Sequence, residues 1–283
     1  MSKTRTVVFA SVSLLALVSL NLQRLPRVFG ERSYETGRQY LNAGQYRRAA
    51  EAFRRASLFM PREPRPYVDL GDALLRMERY EEARSSFKKA LAIEEDSCAF
   101  CGLGAAFYRL GRYEEAERAF RRAAELNPND ECAYDWSGVM FYELERYGEA
   151  ADAFKQEVRI KPRAVTPLHY LGNAYLYLDR YEEAADAYRR ITDLQPDHEE
   201  AHYELGVAYA YLERNREAVA SYRRALELKS DDARAVYALA LAHDALGETR
   251  SAAAYCERLR GLDPASAAEL SKELGRPASG KKR

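Results

Sequence analysis

The 283-residue sequence predicts an all-α fold: an α-solenoid of about seven helix-turn-helix repeats, a C-terminal capping helix and an N-terminal membrane helix. Three observations predict it. First, Gly37, Gly71, Gly104, Gly138, Gly172 and Gly206 recur at spacings of 34, 33, 34, 34 and 34. Second, Ala49, Ala83, Ala116, Ala150, Ala184 and Ala218 keep the same spacings, as do Phe53, Phe87, Phe120, Phe154, Tyr188 and Tyr222. A period near 34 with two helices per unit is the signature of a solenoid. Third, sixteen uncharged residues, Val7 to Leu22, follow Lys3 and Arg5 and share nothing with the repeats.

The unit is clearest from Leu103 to Pro128. Leu103, Ala106, Phe107 and Leu110 share one helical face at i, i+3, i+4, i+7. Gly111 breaks that period, Tyr113, Ala116, Phe120, Ala123 and Ala124 restart it, and Pro128 ends it because proline cannot continue the backbone ladder. One hairpin cannot bury its own apolar face, so the pattern repeats. Small residues in the glycine and alanine slots let the two helices cross closely.

Taken in order, residues 1–29 read as signal anchor and linker, with Pro26 expected to prevent a continuous helix from Gln23 to Gly30. Residues 30–266 read as the solenoid, with repeats starting at Gly30, Pro64, Ser97, Glu131, Val165, Glu199 and Ala233. Ala240 fills the last glycine slot and Cys256 the last aromatic slot; Glu95 and Ser230 stand where a terminal proline is expected. Residues 267–283 read as capping helix and basic tail. Ser266-Ala267-Ala268-Glu269 has the capping-box pattern, Ala267, Leu270 and Leu274 form one apolar stripe, and Gly275 and Pro277 end the helix.

As a helix, Val7 to Leu22 would span about 24 Å, slightly short for a membrane crossing and slightly long for a signal-peptide core. Cleavage needs small residues one and three before the cut, but Ser19 is paired with Leu17 and Ala16 with Leu14. An uncleaved anchor is therefore favoured over a cleaved signal. Lys3 and Arg5 nearly balance Arg24, Arg27 and Arg32 under the positive-inside rule. The short N-terminal tail suits repeats outside the cytoplasm, in a periplasm if the source has one. A tethered array facing the cytosol is the alternative.

The repeat pattern resembles the tetratricopeptide repeat family from Gly30 to Ser266. The resemblance implies a non-catalytic scaffold that binds a peptide or helix of another protein in a concave groove lined by first helices. The groove places of that family hold Tyr108, Asp135, Trp136, Tyr142, His169, Tyr170, Asn173, Tyr177, Tyr203 and Tyr211 here, together with Tyr34, Val68, Cys98, Cys101, Cys132, Val139, Val207 and Tyr237. Trp136, Tyr142, Tyr170 and Tyr177 are expected to form a continuous aromatic strip, with Asp135 and Asn173 beside it. Tyrosine and tryptophan offer large contact area at low entropy cost. Tyr46, Tyr80, Tyr113, Tyr147 and Tyr181, just inside second helices, are expected in the core. The family's two-carboxylate clamp needs lysine at the fifth places; Tyr34, Val68, Cys101, Asp135, His169, Tyr203 and Tyr237 stand there, and only Asn173 fits. A chaperone-tail adaptor of that kind is thereby disfavoured.

Formal net charge is zero, from 44 basic and 44 acidic residues, which argues against a general nucleic-acid binder. Arg54-Arg55, Arg121-Arg122 and Glu81-Glu82 read as a solvated outer face. Neither a Ser–His–Asp spacing nor a phosphate-binding glycine loop is present, so no enzyme, cofactor or small-molecule substrate is indicated. Cys98-x-x-Cys101 opens one first helix, where backbone N–H groups can lower a thiol pKa, and Cys132 holds the place equivalent to Cys98 one repeat later. Incidental thiols, a structural disulfide among Cys98, Cys101 and Cys132, and a metal or redox site all remain open; haem attachment lacks its histidine. The alternative function is therefore a membrane-bound thiol/disulfide or metal-binding protein. Cys256 and His243 read as core residues. His198 and His202, four apart at a loop-to-helix junction, read as bland.

Overall fold

The computed structural model describes residues 26–275; the expected membrane anchor, Val7 to Leu22, and the expected basic tail lie outside them. Among the described residues every regular element is a helix. The helix α1 covers residues 26–42. It is followed by α2 (Tyr46–Phe59), α3 (Arg65–Arg76), α4 (Tyr80–Leu91), α5 (Ser97–Arg109), α6 (Tyr113–Leu126), α7 (Glu131–Glu143), α8 (Tyr147–Ile160), α9 (Val165–Tyr177), α10 (Tyr181–Leu194), α11 (Glu199–Tyr211), α12 (Asn215–Leu228), α13 (Ala233–Ala245), α14 (Thr249–Leu262) and α15 (Pro264–Leu274). Odd-numbered helices up to α13 open the seven repeats and even-numbered helices close them. The described residues form two compact bodies that divide between Ser137 and Gly138, inside α7.

Each hairpin is locked by one aromatic ring lying on one glycine. A Cβ added at Gly37 would meet Phe53 at 2.6 Å, at Gly71 Phe87 at 2.6 Å, and at Gly104 Phe120 at 2.5 Å. In the C-terminal body Gly138 faces Phe154 at 2.7 Å, Gly172 faces Tyr188 at 2.7 Å and Gly206 faces Tyr222 at 2.5 Å. Real Cβ contacts are never so close, so the ring and any side chain larger than hydrogen exclude each other. The seventh repeat changes both partners: Ala240 and Cys256 are buried in the two slots. A thiol is shorter than a ring and leaves the alanine methyl room.

The turn inside each repeat is equally regular. Residues 44, 78, 111, 145, 179, 213 and 247 all have left-handed φ, from 57° to 75°. Gly44, Gly111 and Gly247 adopt it freely, whereas Glu78, Glu145, Asp179 and Glu213 do so against their Cβ. In several repeats the N-cap arginine of the second helix pairs with a glutamate three positions on: Arg146 with Glu149 at 2.6 Å, Arg180 with Glu183 at 2.6 Å, Arg214 with Glu217 at 2.8 Å. The same guanidiniums lie over first-helix rings, Arg146 over Phe141 at 4.5 Å and Arg180 over Tyr175 at 4.6 Å. The hairpin turns closed by Arg112, Arg146, Arg180 and Arg214 are thus held by charge and by ring contact.

Two expectations are corrected here. Residues 26–30 are helical rather than linker; proline is tolerated where a helical N–H has no partner to bond. The last helix is capped by Asp263, not Ser266: the Asp263 carboxylate accepts from the N–H groups of Ala265 (3.1 Å) and Ser266 (3.2 Å). Ser266 instead donates its hydroxyl proton to Asp263 at 2.6 Å. On the exposed outer face, Arg190 donates to the Pro162 carbonyl at 3.2 Å and Arg224 to the Pro196 carbonyl at 3.5 Å, each clipping a second helix to the preceding loop.

Two stability outcomes follow from these contacts. Gly172→Ala should cost about 1–3 kcal/mol by overpacking, against less than about 0.5 kcal/mol for the exposed Lys155→Ala. Pairing it with Tyr188→Cys, the seventh repeat's solution, should recover part of that loss in a double-mutant cycle; strict additivity by chemical denaturation would contradict the ring-on-glycine account. Glu213→Gly should stabilise by up to about 1 kcal/mol, because glycine accepts the left-handed turn that glutamate resists. A lower thermal midpoint for that variant would count against the assigned strain.

Candidate functional site

The candidate site is the first-helix face, and each body carries its own part of it. In the N-terminal body Tyr108 and Trp136 meet edge-on at 5.8 Å, and the Arg109 guanidinium lies within 5.6 Å of Trp136 and 5.8 Å of Tyr108. Asp135, on α7, is half-buried. Tyr34 is buried against Phe53 at 5.7 Å, and burial followed by the Asp69 carboxylate pushes its hydroxyl up to about 12. Asp72 is pushed up to about 6, first by burial and then by Asp69.

The C-terminal body holds the larger aromatic assembly. Tyr142 sits at its centre, 5.4 Å from Tyr147, 5.5 Å from Tyr170 and 6.0 Å from Tyr177. Tyr170 lies flat on Phe154 at 5.0 Å. Tyr147 stacks on Tyr177 at 4.3 Å and Tyr181 on Tyr211 at 4.6 Å, with ring planes within 6° and 5°. Both stacks join a second-helix tyrosine to the tyrosine 30 residues later, at the end of the next first helix. The outer members, Tyr177 and Tyr211, are each 61% exposed. The expectation that Tyr147 and Tyr181 are core is therefore corrected: they are half-buried and prop the groove tyrosines. Tyr46 and Tyr80 are half-buried as well, and Tyr113 is exposed, with its ring 6.3 Å from that of Tyr108.

Between the two stacks lies a cavity of about 370 Å³, lined by Tyr142, Asn173, Leu176, Tyr177, Asp179, Tyr181, Glu204, Val207 and Tyr211. Asn173 is held from two sides: its carbonyl accepts from the Tyr188 hydroxyl at 2.5 Å and its amide meets His169 Nδ1 at 3.4 Å. His169 is half-buried with no partner on Nε2, and burial, reinforced by His198, lowers its pKa. Asp179 accepts from the Tyr181 hydroxyl at 2.5 Å, which first among causes pushes that phenol up to about 12.

Glu204 is the residue that the sequence reading missed. Burial, and then the like charge of Glu200, push its carboxyl up to about 7, while Arg234 opposes them. No hydrogen bond from a described side chain relieves it. A second cavity, of about 630 Å³, lies towards α15 and is lined by residues including Tyr203, Tyr211, Tyr237 and Glu269. The Arg234 guanidinium covers the Tyr203 ring at 4.8 Å, and the Tyr237 hydroxyl donates to Glu273 at 3.0 Å.

The cysteines resolve separately. Cys101 of α5 and Cys132 of α7 form a disulfide with Cα atoms 6.4 Å apart, while Cys98 is free and exposed. The Cys98 thiol is pushed up, not down, by partial burial and then by Asp96 and Asp130. The helix N-terminus is already answered there, because Asp96 accepts from the Ala99 N–H at 2.8 Å. Cys256 is buried and its thiol faces the Ala267 carbonyl at 3.5 Å. His243 is buried, with Nδ1 2.6 Å from Glu248 and stacked on Tyr255. His198 caps α11 by accepting from the Ala201 N–H at 3.1 Å, and His202 meets the Pro196 carbonyl at 2.9 Å. Among the described residues no group of three or more His, Cys, Asp or Glu side chains is placed to hold a metal ion. Nor is any described helix long and apolar enough to cross a membrane.

Paired helices, the recurring glycine and the seven-fold turn define a tetratricopeptide-type repeat protein. The model of the cilia and flagella-associated protein 70 C-terminal domain matches residues 26–241, and the chain belongs to that family. No curated protein sequence matches it significantly. Solved structures with the same fold include the C-terminal part of a TPR repeat-containing protein from Cytophaga hutchinsonii, at 18% identity and TM-score 0.70, covering 84% of this chain and 98% of that one. PilF from Pseudomonas aeruginosa aligns at 20% identity and TM-score 0.54, over 74% and 97% of the two chains. MamA from Desulfovibrio magneticus RS-1 aligns at 24% identity and TM-score 0.51, over 60% and 96%.

A pH outcome follows from Glu204. Its folded-state pKa lies above the unfolded value near 4.5, so the folded state holds more protons between these limits. Stability is then greatest below pH 4.5 with respect to this group and is lost as pH rises through about 7. Glu204→Gln should raise the thermal midpoint at pH 8 and leave it nearly unchanged at pH 4.5. Equal effects at the two pH values would place the carboxylate in water.

Proposed function

We propose that the chain is a non-catalytic scaffold that holds a segment of a partner protein on its first-helix tyrosines, tethered to a membrane by Val7 to Leu22. The observation that carries the reading is the pair of exposed, face-stacked tyrosines, Tyr177 and Tyr211, at the mouth of a 370 Å³ cavity. Exposed aromatic rings held rigid by a second ring offer a partner contact area at little entropy cost. Repeat proteins of this fold bind other proteins as a rule, which supports the same reading. The Cys101–Cys132 disulfide favours an oxidising compartment, and with the charge-free run it supports repeats outside the cytoplasm.

That disulfide is also the specific support for a second reading, a membrane-bound thiol/disulfide protein. The free Cys98 lies one helical turn before Cys101, but its raised pKa opposes the thiolate needed for exchange.

The test is capture of the partner from native membranes with the full chain, followed by variants. Tyr177→Ala with Tyr211→Ala should weaken binding by about 2 kcal/mol or more, roughly 30-fold. Lys155→Ala with Arg216→Ala, on second helices, should leave it unchanged. Tyr170 is unsuited because it packs on Phe154, and Arg189 is unsuited because it donates to the Tyr209 hydroxyl at 3.1 Å. Loss of binding in the second-helix variant alone would move the interface to the other face.

A further inference from the structure

We infer that the cavity between the two tyrosine stacks is a receptor for a cationic side chain, the guanidinium of an arginine carried by the partner segment. The inference rests on the first-helix reading above and adds the chemistry of the occupant.

The lining of the cavity decides that chemistry. Four tyrosines, Tyr142, Tyr177, Tyr181 and Tyr211, surround it, with the carboxyls of Asp179 and Glu204. No lysine, arginine or histidine lines it. Aromatic faces attract cations through their quadrupole, and the attraction grows when the cation is desolvated. An acidic side chain would meet Glu204 and Asp179 as like charges. An apolar side chain would cover Glu204 and leave its carboxyl without a partner, which costs free energy. A guanidinium satisfies both kinds of lining at once, because it is planar for the rings and donates to carboxylates.

The same body already uses this contact internally. Arg180 lies over Tyr175 at 4.6 Å and Arg214 over Tyr209 at 4.6 Å, each also paired with a glutamate, Glu183 and Glu217. Those two sites show the ring-plus-carboxylate arrangement filled. The cavity presents the same groups with the cation to be supplied from outside. Of the two carboxyls, Asp179 already accepts from Tyr181, so Glu204 is the one left to pair. Burial and Glu200 disfavour its charged form and Arg234 offsets them only in part, so a cation in the cavity would complete the pairing.

The experiment uses the full chain in detergent, labelled with fluorotyrosine and titrated with N-acetyl-arginine methylamide. The neutral control is the matching citrulline amide, which has nearly the same shape. Fluorine resonances of Tyr177 and Tyr211, assigned by single Tyr→Phe variants, should shift with the arginine amide at concentrations at least tenfold lower than with the citrulline amide. Glu204→Gln should weaken the arginine response threefold or more, and Tyr177→Leu with Tyr211→Leu should remove the tenfold preference. The thermal midpoint of Glu204→Gln reports that the variant is folded. Equal responses to arginine and citrulline amides, or an arginine response indifferent to Glu204→Gln, would overturn the inference. If partner capture still depends on Tyr177 and Tyr211 in that case, the groove reading survives and the cation assignment alone is lost.

Discussion

Everything in this chain depends on a ring lying on a bare backbone. In six hairpins the first helix offers glycine and the second offers phenylalanine or tyrosine, and a Cβ at the glycine would fall inside contact distance of the ring. The contact fixes how far apart the two helices lie and how they are rotated. It also explains the small residues around it, since Ala49, Ala83, Ala116, Ala150, Ala184 and Ala218 are fully buried in the matching second-helix slot. The seventh repeat keeps the volume by trading both members, Ala240 for glycine and Cys256 for the ring.

The proposed groove is built on that scaffold by a second use of aromatic residues. Tyr147 and Tyr181 begin second helices, and each supports the tyrosine that ends the next first helix. The stacks hold Tyr177 and Tyr211 in place although most of each ring faces water. Rigid, exposed rings stabilise the fold little. Together with Glu204, a carboxyl held near pKa 7 by burial, they gather groups that folding alone does not require. On that combination, more than on any single residue, the proposed binding role of the C-terminal body rests.

Much of the fold was legible in the sequence because the repeat is a packing rule copied seven times. The glycine, alanine and ring slots kept one register, and residues such as Gly104 and Phe120 could be paired before their contact was seen. What was not legible depended on distances between repeats or on burial. Tyr147 and Tyr181 look like core residues until their neighbours 30 residues on are known. Glu204 and Asp72 look like ordinary surface acids until burial raises their pKa values. The choice of Cys132 over Cys98 as the partner of Cys101 turns on which side chains of α5 and α7 meet, and no spacing rule contains it. Asp263 won the last cap over Ser266 because Pro264 starts the helix earlier than the capping-box pattern implies.

Site-specific photocrosslinking tests the central claim, that the first-helix tyrosine face is the binding face, most directly. A benzophenone amino acid placed singly at Tyr177, Tyr211, Lys155 or Arg216 of the full chain, in native membranes, reports what touches each position. The account predicts a crosslink to one and the same protein from positions 177 and 211, and none from 155 or 216. Crosslinks from 155 and 216 with silence at 177 and 211 would contradict it.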